Sequence, residues 1–230
     1  PYILLNHDDT LSSVMTLAHE AGHSAHSLFS HEAQPMPISS YTIFVAEIAS
    51  TFNEQILQDH LIKIATTKQQ KIVLLETAIN RIMATFYRQT LFATYEFIAN
   101  EKVKNGEPIT ANSLSQIFND LYKHYYDLDL PKEIYAPYEW AYIPHLFNAP
   151  FYVYQYATSY AASYKIYQDV KNQVPQAMEK YKTMLKAGGS MYPVDEAKLA
   201  GADLTEKTPF LAVVTRLNEL LDELEETLAS

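Results

Sequence analysis

Cysteine is absent from the 230-residue sequence, which excludes disulfide bonds and any metal site built on thiolates. Positive charge is also scarce: 17 lysines and arginines stand against 27 acidic residues, for a net charge of −10. A nucleic-acid binder, which needs a basic surface to contact phosphates, is therefore not expected. The five glycines favour long helices with short connections. No apolar run reaches the roughly 20 residues of a membrane-spanning helix, and these absences are compatible with the cytoplasmic location that we expect.

One short segment, Thr16–His26, carries the most informative pattern in the chain, His19-Glu20-x-x-His23. Residues i and i+4 of an α-helix lie on the same face one turn apart, so His19 and His23 can share a metal ion. Glu20 points away from the ligand axis and can reach a water on that ion. Apolar residues recur at helical spacing through this segment, and Thr10 is suited to cap it. The alternative is a surface helix whose histidines face water.

A catalytic zinc ion needs a third protein ligand and leaves its fourth position to water. The candidates are His26, His31, Glu32 and a carboxylate further along the chain. His26 continues the histidine spacing, but three histidines on one straight helix cannot converge tetrahedrally, so a packing or outer role is favoured for it. Glu47 opens a second helical segment and is the better candidate, and Glu54, two turns later, could orient a ligating histidine. Spacing alone supports two solvated glutamates equally well.

Two segments carry a resemblance to a known family. They are HEAGHS at 19–24 and YTIFVAEIASTFNE at 41–54, and they closely resemble the oligoendopeptidase F family, in the thimet oligopeptidase class of zinc metallopeptidases. The resemblance continues through residues 140–159 and into the C-terminal tail. In that family the glutamate that matches Glu47 is the third zinc ligand. The resemblance therefore implies one zinc ion per chain, held by His19, His23 and Glu47.

The resemblance also implies residues that hydrogen-bond the substrate carbonyl. A segment starting at Trp140 ends in Ile-Pro-His at His145, and tyrosines spaced four residues apart follow it, among them Tyr152 and Tyr156. The proline disfavours helix in the residue before it, so we expect His145 on an irregular loop. A tyrosine stripe at this spacing is more often core or interface than catalytic. The family uses a histidine and tyrosines from this region, which implies His145, Tyr152 and Tyr156, with Tyr154 as a further candidate.

Hydrophobic periodicity predicts an all-α fold with at most a short N-terminal strand at residues 2–6, and the resemblance implies a gluzincin-type zinc helix. The expected helices are 10–34, 41–64, 69–104, one from 110, 151–172 and one from 209. The pair Gly188-Gly189 is expected to end a further helix. Gly22 is expected to leave room for the helix of Glu47. We expect residues 1–230 to form a single helical catalytic region, the C-terminal part of a larger oligopeptidase whose N-terminal half is absent.

These features together predict a zinc-dependent endopeptidase that cleaves internal bonds of short oligopeptides, with Glu20 as the general base. Short peptides are the expected partners, and nucleic acid and membranes are not. The main alternative is an inactive helical scaffold or fragment whose zinc site is structural or vestigial, closed by a fourth ligand from His26 or Glu54. An exopeptidase is a second alternative, but the sequence shows no charged anchor for a substrate terminus.

Overall fold

The computed structural model describes residues 1–127 and 136–229. These residues are mainly helical, none of them forms a strand, and the predicted all-α fold is confirmed. The helices are α1 (Leu11–Ala33), α2 (Ile43–Ile64), α3 (Lys68–Ile82), α4 (Arg88–Lys104), α5 (Ala111–Tyr126), α6 (His145–Asn148), α7 (Tyr154–Lys171), α8 (Ala177–Leu185), α9 (Pro193–Leu199) and α10 (Thr208–Ala229). Within the two described ranges, none of these helices combines the length and apolarity required to cross a membrane.

The short strand predicted at residues 2–6 is wrong. These residues have no regular secondary structure, and the side chains of Tyr2 and Leu4 are exposed. A strand is stable only when another strand accepts and donates its backbone hydrogen bonds. The described part of the chain contains no other strand that could pair with it.

The chain divides into two compact units. The first unit comprises Pro1–Ile82 and Thr158–Ser230, and the second comprises Met83–Ala157. A π-helical turn, Met83–Tyr87, begins at the boundary and divides the single helix predicted at residues 69–104 into α3 and α4. Such a turn changes the hydrogen-bond pattern over a few residues, so the apolar periodicity of the sequence does not report it.

The first unit has its core around α2, α7, α8 and α9. Aromatic side chains contribute much of it: Phe52 on α2 stacks on Tyr181 of α8, with 4.1 Å between the ring centroids, and meets Tyr167 of α7 edge-on at 6.0 Å. All three side chains are buried. Because large aromatic side chains contribute strongly to core packing, this cluster fixes the helix on which Glu47 and Glu54 lie.

Gly22 allows α1 and α2 to lie in direct backbone contact. A Cβ atom at this position would lie 2.5 Å from the carbonyl oxygen of Ala49 and 2.6 Å from the Cα of Ser50. Real Cβ atoms do not approach backbone so closely, and the predicted need for a glycine at position 22 is confirmed. The close approach brings the ligand candidates on the two helices within reach of each other.

The predicted N-cap at Thr10, a second cap of the same kind at Thr110 and a predicted glycine turn are also present. Thr10 Oγ1 accepts a hydrogen bond from Ser13 N at 3.2 Å at the start of α1, and Thr110 does the same for Ser113 N at 3.2 Å at the start of α5. These caps satisfy backbone donors that the first helical turn leaves unpaired. Gly188 lies in the turn after α8 with φ of 55°, a conformation that glycine adopts without strain.

The second unit packs α4 against α5 and the segment that leads to α7. Its buried residues include Phe92 and Tyr95 on α4 and Phe118 on α5. Trp140 packs against this core, stacks on Tyr95 with 6.2 Å between ring centroids, and its Nε1 donates a hydrogen bond to Ser115 Oγ at 3.0 Å. The segment that carries His145 and Tyr152 is therefore joined to a well-packed aromatic core in its own unit.

Candidate metal centre

Three potential ligands converge where α1 meets α2 in the first unit. The Nε2 atoms of His19 and His23 lie 3.1 Å apart. Glu47 Oε2, from α2, lies 3.4 Å from His19 Nε2 and 3.7 Å from His23 Nε2. Within the described residues, this is the group of three metal-ligating side chains whose ligand atoms all lie within 4.8 Å of one another.

The spacing of these atoms fits a small tetrahedral metal ion. At bond lengths of about 2.0–2.2 Å, two tetrahedral ligand atoms are separated by roughly 3.3–3.6 Å. The three measured separations, 3.1, 3.4 and 3.7 Å, bracket that range. Two imidazoles and one carboxylate are a ligand set that zinc accepts in catalytic sites, so the residues present fit the ion that the sequence implies.

Glu54 fixes the orientation of His19. Its Oε1 lies 3.0 Å from His19 Nδ1, and a carboxylate at this position accepts a hydrogen bond from Nδ1–H, which leaves the Nε2 lone pair directed at Glu47 and His23. Burial acts to lower the pKa of His19, but the hydrogen bond and charge of Glu54 outweigh it and raise that pKa. The structure therefore contains the predicted contact between Glu54 and one of the two candidate ligand histidines.

Arg81 is a participant that the sequence did not reveal. Its guanidinium forms an ion pair with Glu54 Oε2. Burial acts to raise the pKa of Glu54, while the His19 hydrogen bond and the charge of Arg81 lower it overall, so the carboxylate stays ionised. Arg81 lies on α3, and its contact depends on how α3 packs against α2, which local spacing cannot predict.

Ser50 supports the carboxylate of Glu47. Its hydroxyl donates a hydrogen bond of 2.8 Å to Glu47 Oε2, three residues earlier on the same helix. The i, i+3 spacing on a helix could have identified this contact. Glu20, next to His19 on α1, is half-buried, and its carboxylate accepts no hydrogen bond within the residues that the structure describes.

His26 lies away from the ligand cluster, as expected for a packing residue. Its side chain is fully buried, and its ring stacks on Tyr41 with 3.6 Å between centroids and an interplanar angle of 5°. Burial lowers the pKa of His26 to about 3, so the ring is neutral in the folded protein. Tyr41 in turn donates a hydrogen bond of 3.3 Å to the carbonyl of His23.

The second unit brings His145, Tyr152 and Tyr156 together. The rings of His145 and Tyr152 stack with 5.3 Å between centroids and an interplanar angle of 17°. The hydroxyl of Tyr156 lies 3.5 Å from His145 Nε2. All three side chains are half-buried, so their polar atoms form a compact group that solvent can reach. Tyr154 is exposed.

The backbone of this segment differs from the prediction in two places. His145 begins the helical turn α6 instead of lying on an irregular loop, because Pro144 restricts the residue before it but is itself well suited to the start of a helix. The helix predicted from residue 151 begins at Tyr154. Phe151, with φ of 57°, lies in a left-handed turn that a helix cannot include.

Further along α7, Tyr160 and Tyr164 continue the tyrosine stripe within the first unit. Both side chains are buried, and their rings pack at 5.2 Å between centroids. Burial raises the pKa of Tyr160 well above its ordinary value. For these two residues, the alternative that a tyrosine stripe forms core is confirmed.

Comparisons with known proteins agree with the residue patterns. The sequence model of the family described as Peptidase family M3 matches residues 1–215 of this chain. An oligoendopeptidase F homolog of Borreliella burgdorferi is 42% identical over 226 residues, which cover 98% of this chain and 38% of that protein. Oligopeptidase PepF of Bacillus subtilis is 40% identical over 230 residues, and the match covers 99% of this chain and 34% of PepF.

A solved structure shares the fold. The crystal structure of oligoendopeptidase-F from Enterococcus faecium superposes with a TM-score of 0.83 at 35% identity, over 95% of this chain and 40% of that one. The chain therefore spans 34–40% of the length of the relatives named here.

Proposed function

Because the chain belongs to peptidase family M3, we propose that it carries the metal centre of a zinc-dependent endopeptidase that hydrolyses internal bonds of short oligopeptides. The observation that carries the proposal is the convergence of His19, His23 and Glu47, whose ligand atoms lie within 4.8 Å of one another. We further propose that residues 1–230 act as the helical catalytic region of a larger oligopeptidase, and that the enzyme is cytoplasmic.

The chemistry follows from the residues around the three ligands. A zinc ion held by these three residues would supply a Lewis acid that makes water a nucleophile near neutral pH. Glu20 then serves as the general base, taking a proton from the attacking water and returning it to the leaving amine. No hydrogen bond in the described part of the chain competes for its carboxylate. Glu54 keeps His19 in the tautomer that ligation requires.

His145, Tyr152 and Tyr156 are proposed to donate hydrogen bonds to the oxygen of the scissile carbonyl, which gains negative charge as water attacks. Their assignment rests on the resemblance of residues 140–159 to the family. The close grouping of the three side chains within the second unit supports a shared role, since a histidine and two phenols offer several donors to one oxygen.

Two observations favour this proposal over a structural zinc site. A structural site has four protein ligands, whereas the cluster found within the described residues has three members. The two side chains considered for a fourth ligand have other partners: Glu54 binds His19 Nδ1 and Arg81, and His26 stacks on Tyr41. An open fourth position is what a hydrolytic zinc site requires.

The first experiment is elemental analysis of the chain purified without chelator, beside Glu47→Ala and Glu32→Ala. We expect about one zinc per chain in the wild type, loss of zinc in Glu47→Ala, and full zinc in Glu32→Ala, because Glu32 is an exposed glutamate on α1. A chain that holds no zinc, or a Glu47→Ala variant that keeps it, would contradict the three-ligand site.

The second experiment isolates the general base. Glu20→Gln should bind zinc as the wild type does and lose at least about 100-fold in the rate of peptide cleavage, the usual contribution of a positioned acid–base group. Zinc content and cleavage of a fluorogenic peptide are measured on the same preparation. A Glu20→Gln variant that cleaves at the wild-type rate rules out this role for Glu20.

A further inference from the structure

Glu96 connects the first helix of the second unit to the segment that carries the proposed carbonyl-binding residues. It lies on α4 with only 4% of its surface exposed. Its Oε1 accepts a hydrogen bond of 2.6 Å from the backbone N–H of Phe151, 55 residues away in the sequence. A buried carboxylate whose one hydrogen-bond partner among the described residues is a backbone amide is unusual enough to require a reason.

The reason lies in the conformation of Phe151. Its φ of 57° places it in the left-handed region, which is unfavourable for any residue with a Cβ atom. Phe151 is also poorly buried, with 48% of the residue's surface exposed, so packing contributes little to holding this conformation. The hydrogen bond from its N–H to the Glu96 carboxyl oxygen satisfies a backbone donor in this turn and offsets the strain.

The turn determines where two proposed site residues lie. Phe151 directly precedes Tyr152, and residues 149–151 connect Tyr152 to α6, which begins with His145. The rings of His145 and Tyr152 stack across this short connection, 5.3 Å apart. A change in the backbone at Phe151 therefore moves one ring relative to the other.

We infer that Glu96 is a positioning residue, whose carboxylate holds the Phe151 turn and thereby the His145–Tyr152 pair. This inference rests on the proposed function only for the catalytic role of that pair. The surroundings of Glu96 strengthen the contact: it lines a cavity of about 170 Å³ whose other walls include Trp140 and Phe147. Hydrogen bonds are stronger in such apolar surroundings than in water.

The direct test measures geometry without activity. His145 and Tyr152 ring protons shift each other's NMR signals through their ring currents, so the shifts of His145 in the intact chain report the stack. Glu96→Met keeps the size of the side chain but removes the acceptor, and we expect the His145 shifts to move towards those of a free histidine. Glu96→Gln keeps an acceptor oxygen and should retain the wild-type shifts.

Tyr95→Phe is the matched control. Tyr95 neighbours Glu96, lines the same cavity, and has a buried hydroxyl without a hydrogen-bond partner among the described residues, so its removal should leave the His145 shifts unchanged. Wild-type shifts in Glu96→Met overturn the inference. If Glu96→Met does not fold, the test uses Glu96→Asp, whose acceptor is drawn back by one methylene group. Wild-type His145 shifts in Glu96→Asp would then overturn the inference.

The kinetic test separates this inference from the proposed function. A displacement of about 1 Å can cost about 100-fold in rate, so Glu96→Met should lose 10- to 100-fold in kcat with KM and zinc content retained, while Glu96→Gln keeps the wild-type kcat. If His145→Ala and Tyr152→Phe lower kcat but Glu96→Met does not, the positioning role fails and the proposed function stands. If neither His145→Ala nor Tyr152→Phe lowers kcat, the catalytic role of the pair fails, and the NMR shifts still decide whether Glu96 holds it.

Discussion

A buried glutamate holds a candidate site residue in each of the two units, but the two carboxylates work in different surroundings. In the first unit, Glu54 contacts His19 Nδ1 at 3.0 Å and forms an ion pair with Arg81. In the second unit, Glu96 accepts a hydrogen bond of 2.6 Å from the backbone N–H of Phe151. Burial acts to raise the pKa of both carboxyl groups. His19 and Arg81 outweigh burial at Glu54, so its pKa is lowered. The Phe151 amide offsets burial only in part at Glu96, so its pKa is raised.

The difference shows that the two sites depend on different properties of the same side chain. Glu54 must be negative, because it faces a guanidinium and orients an imidazole that is proposed to bind metal. Glu96 needs only an acceptor atom at the correct place, because its partner is a neutral amide. Replacing each glutamate by glutamine removes the charge and keeps an acceptor, so the pair of substitutions tests the comparison directly.

The largest effect is expected from Glu54→Gln. Loss of a carboxylate that orients a ligating histidine typically lowers metal affinity about 10- to 100-fold, and Arg81 would also lose its ionic partner. Competition for zinc against a chelator of known affinity measures the change. Glu96→Gln, the matched control, should bind zinc as the wild type does. Equal zinc affinities for Glu54→Gln and the wild type would contradict the proposal that zinc binding depends on the charge of Glu54.

The next effect concerns the helix contact that assembles the first site. Gly22→Ala places a methyl group 2.5 Å from the Ala49 carbonyl oxygen, so α1 and α2 must separate, and we expect a loss of about 2 kcal/mol in the free energy of unfolding. Zinc affinity should fall as well, because the two helices carry different ligands. Chemical denaturation and zinc competition measure the two quantities.

Gly106→Ala is the control for this substitution. Gly106 has φ of 75° and open space around its Cα, so alanine there is strained by about 1 kcal/mol without overlapping another atom. It should lower stability and leave zinc affinity unchanged. If Gly22→Ala lowered stability but not zinc affinity, the ligand geometry would not depend on the close contact of α1 and α2.

The first site was predictable because its information is local. His19 and His23 share a helix face through their i, i+4 spacing, and the helix of Glu47 has its own periodicity. What the spacing left open was whether Glu47 and Glu54 face solvent or α1. Packing decided it, and the same packing brought in Arg81 from α3, whose sequence surroundings give no sign of the contact.

The second site was less predictable because it depends on irregular backbone. The resemblance named His145 and Tyr152, but the left-handed conformation of Phe151 has no signal in the sequence, since glycine or asparagine usually occupies such a position. Its stabilising contact comes from Glu96, 55 residues earlier. The strand expected at residues 2–6 failed for a related reason: alternation or apolar character within a segment says nothing about a partner outside it.

A smaller effect distinguishes the two glutamates by pH. The pKa of Glu96 is raised in the folded protein above the ordinary value of 4.5. As the pH rises above 4.5, the unfolded chain therefore loses the carboxyl proton of Glu96 before the folded chain does, and the stability that Glu96 contributes falls. The lowered pKa of Glu54 has the opposite sign, and its contribution is lost as the pH falls through and below 4.5. In the zinc-free chain, the stability of the wild type relative to Glu96→Gln should decrease with rising pH, while that relative to Glu54→Gln should increase. Urea denaturation across this pH range measures both slopes, and slopes of equal sign would contradict the comparison.

The smallest effect tests whether the Glu96 hydrogen bond compensates for strain at Phe151. Phe151→Gly relieves the strain of the left-handed conformation. In the wild type, loss of the Glu96 hydrogen bond lets the strained turn relax and so recovers part of the cost, whereas the glycine turn has no strain to release. Glu96→Met should therefore cost about 1 kcal/mol more in the Phe151→Gly background than in the wild type. The control is Asp127→Gly, at another left-handed residue of the same unit, with φ of 51° at the end of α5. That substitution relieves comparable strain, but Asp127 is not the residue that Glu96 holds, so its effect should add to that of Glu96→Met without coupling. Coupling at Phe151 and additivity at Asp127, both from denaturation of the single and double variants, would assign the role of Glu96 to this one turn. Equal coupling at both positions would mean that Glu96→Met loosens the second unit as a whole.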